Sequence, residues 1–211
     1  MKVLVACEYS GVVRDAFIRV GHDAMSCDLL PSDSHFGPHH RGDVFDLINN
    51  PRDKGRWDLM IAHPPCTYLT VSGNKWFKDG VVASNGTLTG QARRTAQAEA
   101  LQFVKALYFC EIQKVAIENP IGRLSTLWMQ PDQVIQPWMF GHGETKATCL
   151  WLKGLPLLQP THRRSDLFCK PEPSGRVQRL HNLPPSPDRA KLRAKTYQGI
   201  ADAMAEQWGN Q

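Results

Sequence analysis

The run Trp57-Asp58-Leu59-Met60-Ile61-Ala62-His63-Pro64-Pro65-Cys66 constrains the fold more than any other part of this chain. Its apolar centre reads as a short strand covered on both faces. The two prolines then fix the backbone and remove amide donors, so the strand runs into a rigid turn. That turn delivers a thiol to the carboxyl end of a strand, where open α/β sheets bind ligands. A second apolar run, Val115-Ala116-Ile117, ends in Glu118-Asn119-Pro120. A thiol at one strand end and an acid at another point to covalent chemistry assisted by a proton donor.

Strands and helices alternate along the rest of the chain. Lys2 to Cys7 is an apolar first strand, and Val12 to Val20 carries Val13, Ala16, Phe17 and Val20 at helical spacing before Gly21 stops it. His22 to Cys27 is a second strand ending at Asp28. Ser32 to Arg41 is polar and reads as a loop, and Gly42-Asp43-Val44 as a short third strand or its exit. Leu59 to Ala62 is the fourth strand, Val115 to Ile117 the fifth, and Thr148 to Leu152 another. Gln91 to Ile112 is the strongest helix, with Ala100, Leu101, Val104, Leu107 and Tyr108 on one stripe and Arg93, Arg94, Gln102 and Lys105 elsewhere. A final helix over Thr196 to Trp208 places Tyr197, Ile200, Ala201, Met204 and Trp208 on one side. Between Gly73 and Gly90 lie four glycines and two asparagines, which predicts a long loop of the mobile-lid kind. The alternation predicts an α/β fold with a doubly wound, mainly parallel sheet.

A chain of 211 residues fits one such domain, and no apolar run approaches the roughly 18 residues of a membrane span. Glu8 and Arg14 interrupt the N-terminal apolar stretch too early for a signal peptide, so a cytoplasmic protein is expected. The six cysteines are scattered, with no C-x-x-C pair, so neither a structural zinc site nor a dithiol motif is indicated. His35, His39 and His40 share one loop without a cysteine to complete a common ligand set, and no metal is expected there. His63, next to Pro64, either tunes Cys66 electrostatically or fills space; filling space is the favoured reading.

Net charge is +5, and the excess is clustered. From His162 to Lys195 there are nine Lys/Arg against three acids, with six Pro or Gly. An extended, basic, loop-rich segment of this kind suits phosphate backbones, and the competing reading is a solvated surface.

Pro64-Pro65-Cys66-Thr67-Tyr68-Leu69-Thr70-Val71-Ser72-Gly73 resembles the P-P-C-Q-x-F-S-x-x-G motif of the cytosine-C5 DNA methyltransferases, and Glu118-Asn119-Pro120 resembles their E-N-V motif. The chain looks most like short, phage-type members. The resemblance covers roughly residues 1 to 150 and the closing helix. It implies the S-adenosylmethionine-dependent (Rossmann-like) fold with a minimal or absent target-recognition domain. The implied organisation is a catalytic and cofactor-binding domain over 1–153, a short basic segment over 154–195 and a closing helix over 196–211.

The resemblance implies that Cys66, activated by a lowered pKa, adds to the electron-poor C6 of cytosine. Glu118, protonated or strongly hydrogen-bonding, would stabilise charge at N3. Asn119 would hold the backbone or the neighbouring strand end. The methyl group would come from S-adenosyl-L-methionine. Cofactor contacts would fall on the turn Cys7-Glu8-Tyr9-Ser10-Gly11, on Asp28 and Leu29, on Asp43 and Val44 of a G-D-I-like motif, and on Pro64. The turn departs from the family's F-x-G-x-G, since only Gly11 matches a glycine. Substrate contacts would involve Pro65, Thr67, Ser72, Lys75, Lys146, Arg163 and Arg164. Only Lys146 keeps a cation where the family has Q-x-R-x-R, and Thr67 replaces the glutamine after the nucleophile. Lys75 beside Trp76 suits a phosphate contact with stacking, or equally a solvated loop.

Plain structural roles compete with each assignment: a buried thiol for Cys66, a strand-end acid for Glu118, and turn acids for Asp28 and Asp43. The expected partner is DNA, possibly single-stranded and read with short or relaxed specificity, and the expected assembly is a monomer or weak dimer. Two alternatives stay open. One is the same chemistry on RNA or a free cytosine nucleotide. The other is a catalytically degenerate fold that binds DNA.

Overall fold

The structure is a computed structural model and describes residues 1–50, 56–83, 86–162, 184, 186 and 189–210. Among these residues, strands β1 (Lys2–Ala6), β2 (Asp23–Asp28), β3 (His39–Arg41), β4 (Leu59–Ala62), β5 (Lys114–Pro120), β6 (Gln133–Ile135) and β7 (Thr148–Lys153) form one sheet in the order β3-β2-β1-β4-β5-β7-β6. The first five strands run parallel, and β7 lies antiparallel between β5 and β6. This is the doubly wound, mainly parallel Rossmann-like sheet that the sequence implies.

The strands are apolar throughout because both faces are covered. Val3, Val5, Leu59 and Ile61 face helix α1 (Val12–Arg19) and the closing helix α6 (Gln198–Trp208). Leu4, Ala6, Met60 and Ala62 face the opposite layer, which contains helix α3 (Gly90–Tyr108). Short helices α2 (Phe45–Ile48), α4 (Leu124–Leu127) and α5 (Arg189–Ala194) complete the α elements. In α6, Ile200, Ala201, Met204, Ala205 and Trp208 recur at helical spacing and are buried. Its Trp208 indole also donates to the Pro156 carbonyl at 3.0 Å, so burial leaves no unpaired donor. No helix among the described residues is long and apolar enough to cross a membrane.

Several elements differ from the sequence expectation. The span Ser32 to Arg41, expected as a loop, ends in β3, whose polar residues carry no strand signal of their own. His39 is held there by its side chain, which bonds the Ser26 hydroxyl at 2.9 Å and the Leu30 carbonyl at 2.9 Å. Strand β6, inside a Trp- and Pro-containing stretch over 128–140, is only three residues long and exists by pairing with β7. The lid expected over Gly73 to Gly90 begins as a 3₁₀ helix, Val71–Phe77. Helix α5 forms inside the segment expected to be extended. Arg93, placed off the apolar stripe of its helix, is buried. Its guanidinium donates to the Thr67 carbonyl at 3.2 Å and lies over the rings of Tyr68 and Phe77.

Candidate active site

Parallel pairing brings the carboxyl ends of four strands to one edge. Ala6 is in register with Cys27 on β2 and with Ala62 on β4, and Ala62 with Ile117 on β5. The residues that follow these strands therefore emerge side by side: Cys7 to Gly11, Asp28, His63 to Cys66, and Glu118 with Asn119 within β5. Main-chain bonds lock the exits together, from Glu8 N to Cys27 O at 3.0 Å and from His63 N to Ala6 O at 2.9 Å.

Cys66 sits half-buried at the end of the Pro-Pro turn. Its carbonyl accepts the amides of Leu69 (2.9 Å) and Thr70 (3.1 Å), so the chain reverses just after the thiol. Asn119 donates its side-chain amide to the Pro64 carbonyl at 2.8 Å and ties β5 to this turn. Gln97 of α3 donates to the Tyr68 carbonyl at 2.8 Å from the other side. Gly122 is needed where the chain leaves β5: a Cβ there would lie 2.2 Å from the Leu69 carbonyl oxygen.

For His63 the geometry goes against the favoured reading, and its partner, Glu118, was not anticipated. Instead of filling space, His63 places Nδ1 3.0 Å from Glu118 Oε2. The two side chains are only 9% and 17% exposed, which shields the pair from water. Burial alone favours a neutral imidazole, but the Glu118 hydrogen bond and charge, helped by Glu8, override it and hold His63 above its usual range. Burial likewise favours a neutral Glu118, yet the His63 bond and charge, with Lys146, hold its carboxyl below the usual range. Both directions favour a Glu118 anion paired with a protonated His63 over a protonated Glu118 acid. The signal was present in the sequence, since aligning the ends of the two apolar runs sets His63 beside Glu118, but the register needed to use it was not.

The expected lowering of the Cys66 pKa is also overturned. Burial and the Glu118 anion push the thiol up, and Lys146 and Arg193 only partly counter them. Glu118 and Cys66 are therefore electrostatically coupled across the β4 and β5 ends. Lys146 acts on both through its charge, while its Nζ bonds the Arg193 carbonyl at 2.8 Å and lies over the Tyr197 ring.

The expected cofactor residues occupy the other half of the same edge. Cys7 adopts a left-handed backbone with φ 57°, which re-aims the chain as it leaves β1. Burial first, then Asp28, Cys27 and Asp43, push its thiol up strongly and keep it neutral. Asp28 and Asp43 thus flank Cys7; each also accepts a nearby amide, from Leu30 and Phe45 respectively, at 2.9 Å. Leu29 is 73% exposed beside Asp28, whereas Val44 is buried. The Glu8 side chain is buried. Its buried carboxylate accepts Val13 N (2.7 Å), Arg14 N (3.2 Å) and the Ser10 hydroxyl (3.1 Å), capping α1. Tyr9 donates to the Lys191 carbonyl at 2.7 Å, and Gly11 uses φ 75° at the start of α1.

Among the expected substrate residues, Pro65, Thr67, Ser72 and Lys75 are exposed around the turn. Lys75 lies over the Trp76 ring at 4.5 Å. Arg163 and Arg164 fall outside the described residues. Helix α5, by contrast, is described and crosses the rim. It is held there by the Tyr9 and Lys146 bonds, while Lys195 just beyond it pairs with Asp33 at 2.8 Å. Among the described residues, no group of three or more His, Cys, Asp or Glu is arranged to hold a metal ion.

No protein-family model matches the chain, and no curated protein matches it. Among solved structures, the chain is similar to a crystal structure of a mutant of Spodoptera frugiperda DNMT2, at 14% identity and a TM-score of 0.38. The match covers 76% of this chain and 53% of that chain, so this chain spans about half its length.

Proposed function

We propose that this protein transfers a methyl group from S-adenosyl-L-methionine to C5 of cytosine in DNA, through a covalent bond between Cys66 and C6. One observation carries the reading: a thiol and a carboxylate, coupled through their charges, emerge from adjacent parallel strands at the ligand edge of a Rossmann-like sheet.

The residues present fit the cofactor. Asp28 and Asp43 offer carboxylate oxygens for hydroxyl or amino groups, exposed Leu29 offers an apolar surface, and the left-handed turn at Cys7 brings backbone to the same place. When bound, S-adenosyl-L-methionine supplies an activated methyl group. The chain's own residues do the rest. Asn119 and the two prolines fix Cys66, whose sulfur adds to C6 and raises electron density at C5. Glu118 governs the proton at N3. Lys146 offsets negative charge over the pair. After methylation, loss of the C5 proton and departure of the thiol restore the ring.

The test is trapping with DNA containing 5-fluorocytosine in the presence of S-adenosyl-L-methionine. Fluorine cannot leave as a proton does, so the adduct persists through denaturation. A Cys66-linked adduct is expected with the wild type and none with Cys66→Ala. Competition among DNA, RNA and cytosine nucleotide reads the acceptor, and preference for RNA or nucleotide would move the reaction off DNA. No adduct and no methyl incorporation on any of them would overturn the reading and leave a binding fold.

A further inference from the structure

We propose that His63 is a positioning residue that stores, against Glu118, the proton that Glu118 delivers to the pyrimidine N3. This rests on the cytosine reading above and assigns its proton source.

The geometry is built for storage. His63 Nδ1 and Glu118 Oε2 are 3.0 Å apart and largely shielded from water. The ring is fixed by its own main chain, since His63 N bonds Ala6 O and the next residue is Pro64, whose carbonyl is held by Asn119. The other ring nitrogen, Nε2, is buried without a hydrogen-bond partner among the described residues, so Glu118 is the imidazole's one described side-chain partner. Several charged or titratable groups bear on the pair. Glu8 from the β1 exit favours a charged His63, and Lys146 ahead of β7 opposes it. The thiols of Cys66 and Cys149 both feel Glu118, and Arg193 of α5 acts on Cys66.

In the resting ion pair one transferable proton sits on Nδ1, between His63 and Glu118, while the second imidazolium proton stays on Nε2 throughout. As the Cys66 sulfur bonds to C6, after its own proton has left to solvent, the C5–C6 π pair shifts to C4–C5 and the C4–N3 π pair moves onto N3. N3 then takes the proton from the Glu118 carboxyl, which takes it from Nδ1. A neutral imidazole and a carboxylate remain. Elimination of the thiol returns the proton along the same path, while the C5 hydrogen leaves separately. With the proton on His63, the Glu118 anion opposes a thiolate at Cys66, so the free site holds an unreactive thiol.

Two measurements decide this. In the first, the His63 ring is titrated by ¹⁵N NMR in the wild type and in Glu118→Gln. The wild-type ring is expected to keep its proton to higher pH than an ordinary histidine and to lose that advantage in the variant. Titration at or below the ordinary range, unmoved by Glu118→Gln, would overturn the storage.

The second follows exchange of the cytosine C5 hydrogen with solvent in DNA, which needs sulfur addition and N3 protonation but no methyl donor. His63→Asn, which keeps a donor near Glu118 but cannot titrate, is expected to slow exchange about 10–100-fold and to flatten its pH profile. DNA affinity should stay near wild type, and exchange is compared at temperatures where both proteins are fully folded, because the variant also loses the pair's contribution to stability. His63→Gln serves as the second variant if the first unfolds. Exchange within twofold of wild type with an unchanged pH profile would overturn the proposal. Exchange without methyl transfer in the wild type would break the methyltransferase reading alone, whereas absence of exchange on every acceptor would remove both.

Discussion

The side-chain amide of Asn119 holds the Pro64 carbonyl at 2.8 Å, so the end of β5 sets the position of the turn that carries Cys66. Both partners are buried, so the Pro64 carbonyl would be left without its donor. Asn119→Ala should therefore destabilise the protein by about 1–3 kcal/mol, the cost of an unsatisfied buried acceptor. Urea unfolding checks this. Methyl transfer should fall more than the stability loss alone explains, because the thiol is no longer fixed.

Glu118→Gln removes the anion that pushes the Cys66 thiol up. At a fixed pH below the thiol's titration, Cys66 should then react faster with iodoacetamide, while methyl transfer falls. Mass spectrometry of the Cys66 peptide across a pH series compares the alkylation of wild type and variant. Equal alkylation profiles would show that the two groups are not coupled.

The His63–Glu118 pair also predicts a stability window. The Glu118 carboxyl lies below its ordinary 4.5 when folded, so its contribution is complete above that pH and fades as pH falls through the folded value. The His63 imidazole lies above its ordinary 6.5, so its contribution is complete below that pH and fades as pH rises through the folded value. The stability difference between wild type and His63→Asn should be largest between these two ordinary values and shrink on either side. A difference that is flat with pH would mean the pair is not ionised.

Arg14 is fully buried. It pairs with Asp15 at 2.7 Å, reaches Ser26 at 2.9 Å and bonds the Ser34 carbonyl at 3.1 Å. It thus ties α1 and β2 to the loop that follows Asp28. Arg14→Met should cost about 3–5 kcal/mol by leaving Asp15 buried without its cation. It should also weaken S-adenosyl-L-methionine binding by calorimetry, since that loop is no longer held. Restoring stability with Asp15→Asn without restoring binding would separate the two effects.

Gly122→Ala should destabilise by about 1–3 kcal/mol, because the new methyl meets the Leu69 carbonyl, a backbone atom that cannot swing aside. Thermal melts of the variant against wild type decide this.

Much of the fold was legible in the sequence. The runs Lys2–Ala6, Leu59–Ala62 and the apolar part of β5 announce buried strands, because a strand covered on both faces must be apolar throughout. The stripe of α6 likewise follows from side-chain spacing. Strand β3 was legible only through its exit at Gly42-Asp43-Val44, and strand β6 and helix α5 were not legible. Each is short, and each is held by partners distant in sequence: His39 by Ser26, β6 by β7, and α5 by Tyr9 and Lys146. Local pattern carries no information about such partners.

The candidate site divides in the same way. Residue types and order along the chain were enough to single out Cys66, Glu118, Asn119, Asp28 and Asp43 as chemistry at strand ends, since period and punctuation are local properties. Their ionisation states belong to the tertiary structure alone. Only the parallel register of β4 with β5 sets His63 against Glu118, gives the expected strongly hydrogen-bonded acid its partner, and shifts that carboxyl down and the neighbouring thiol up. Charge–charge energies depend on distance through space and on burial, and neither quantity is written in the order of the residues.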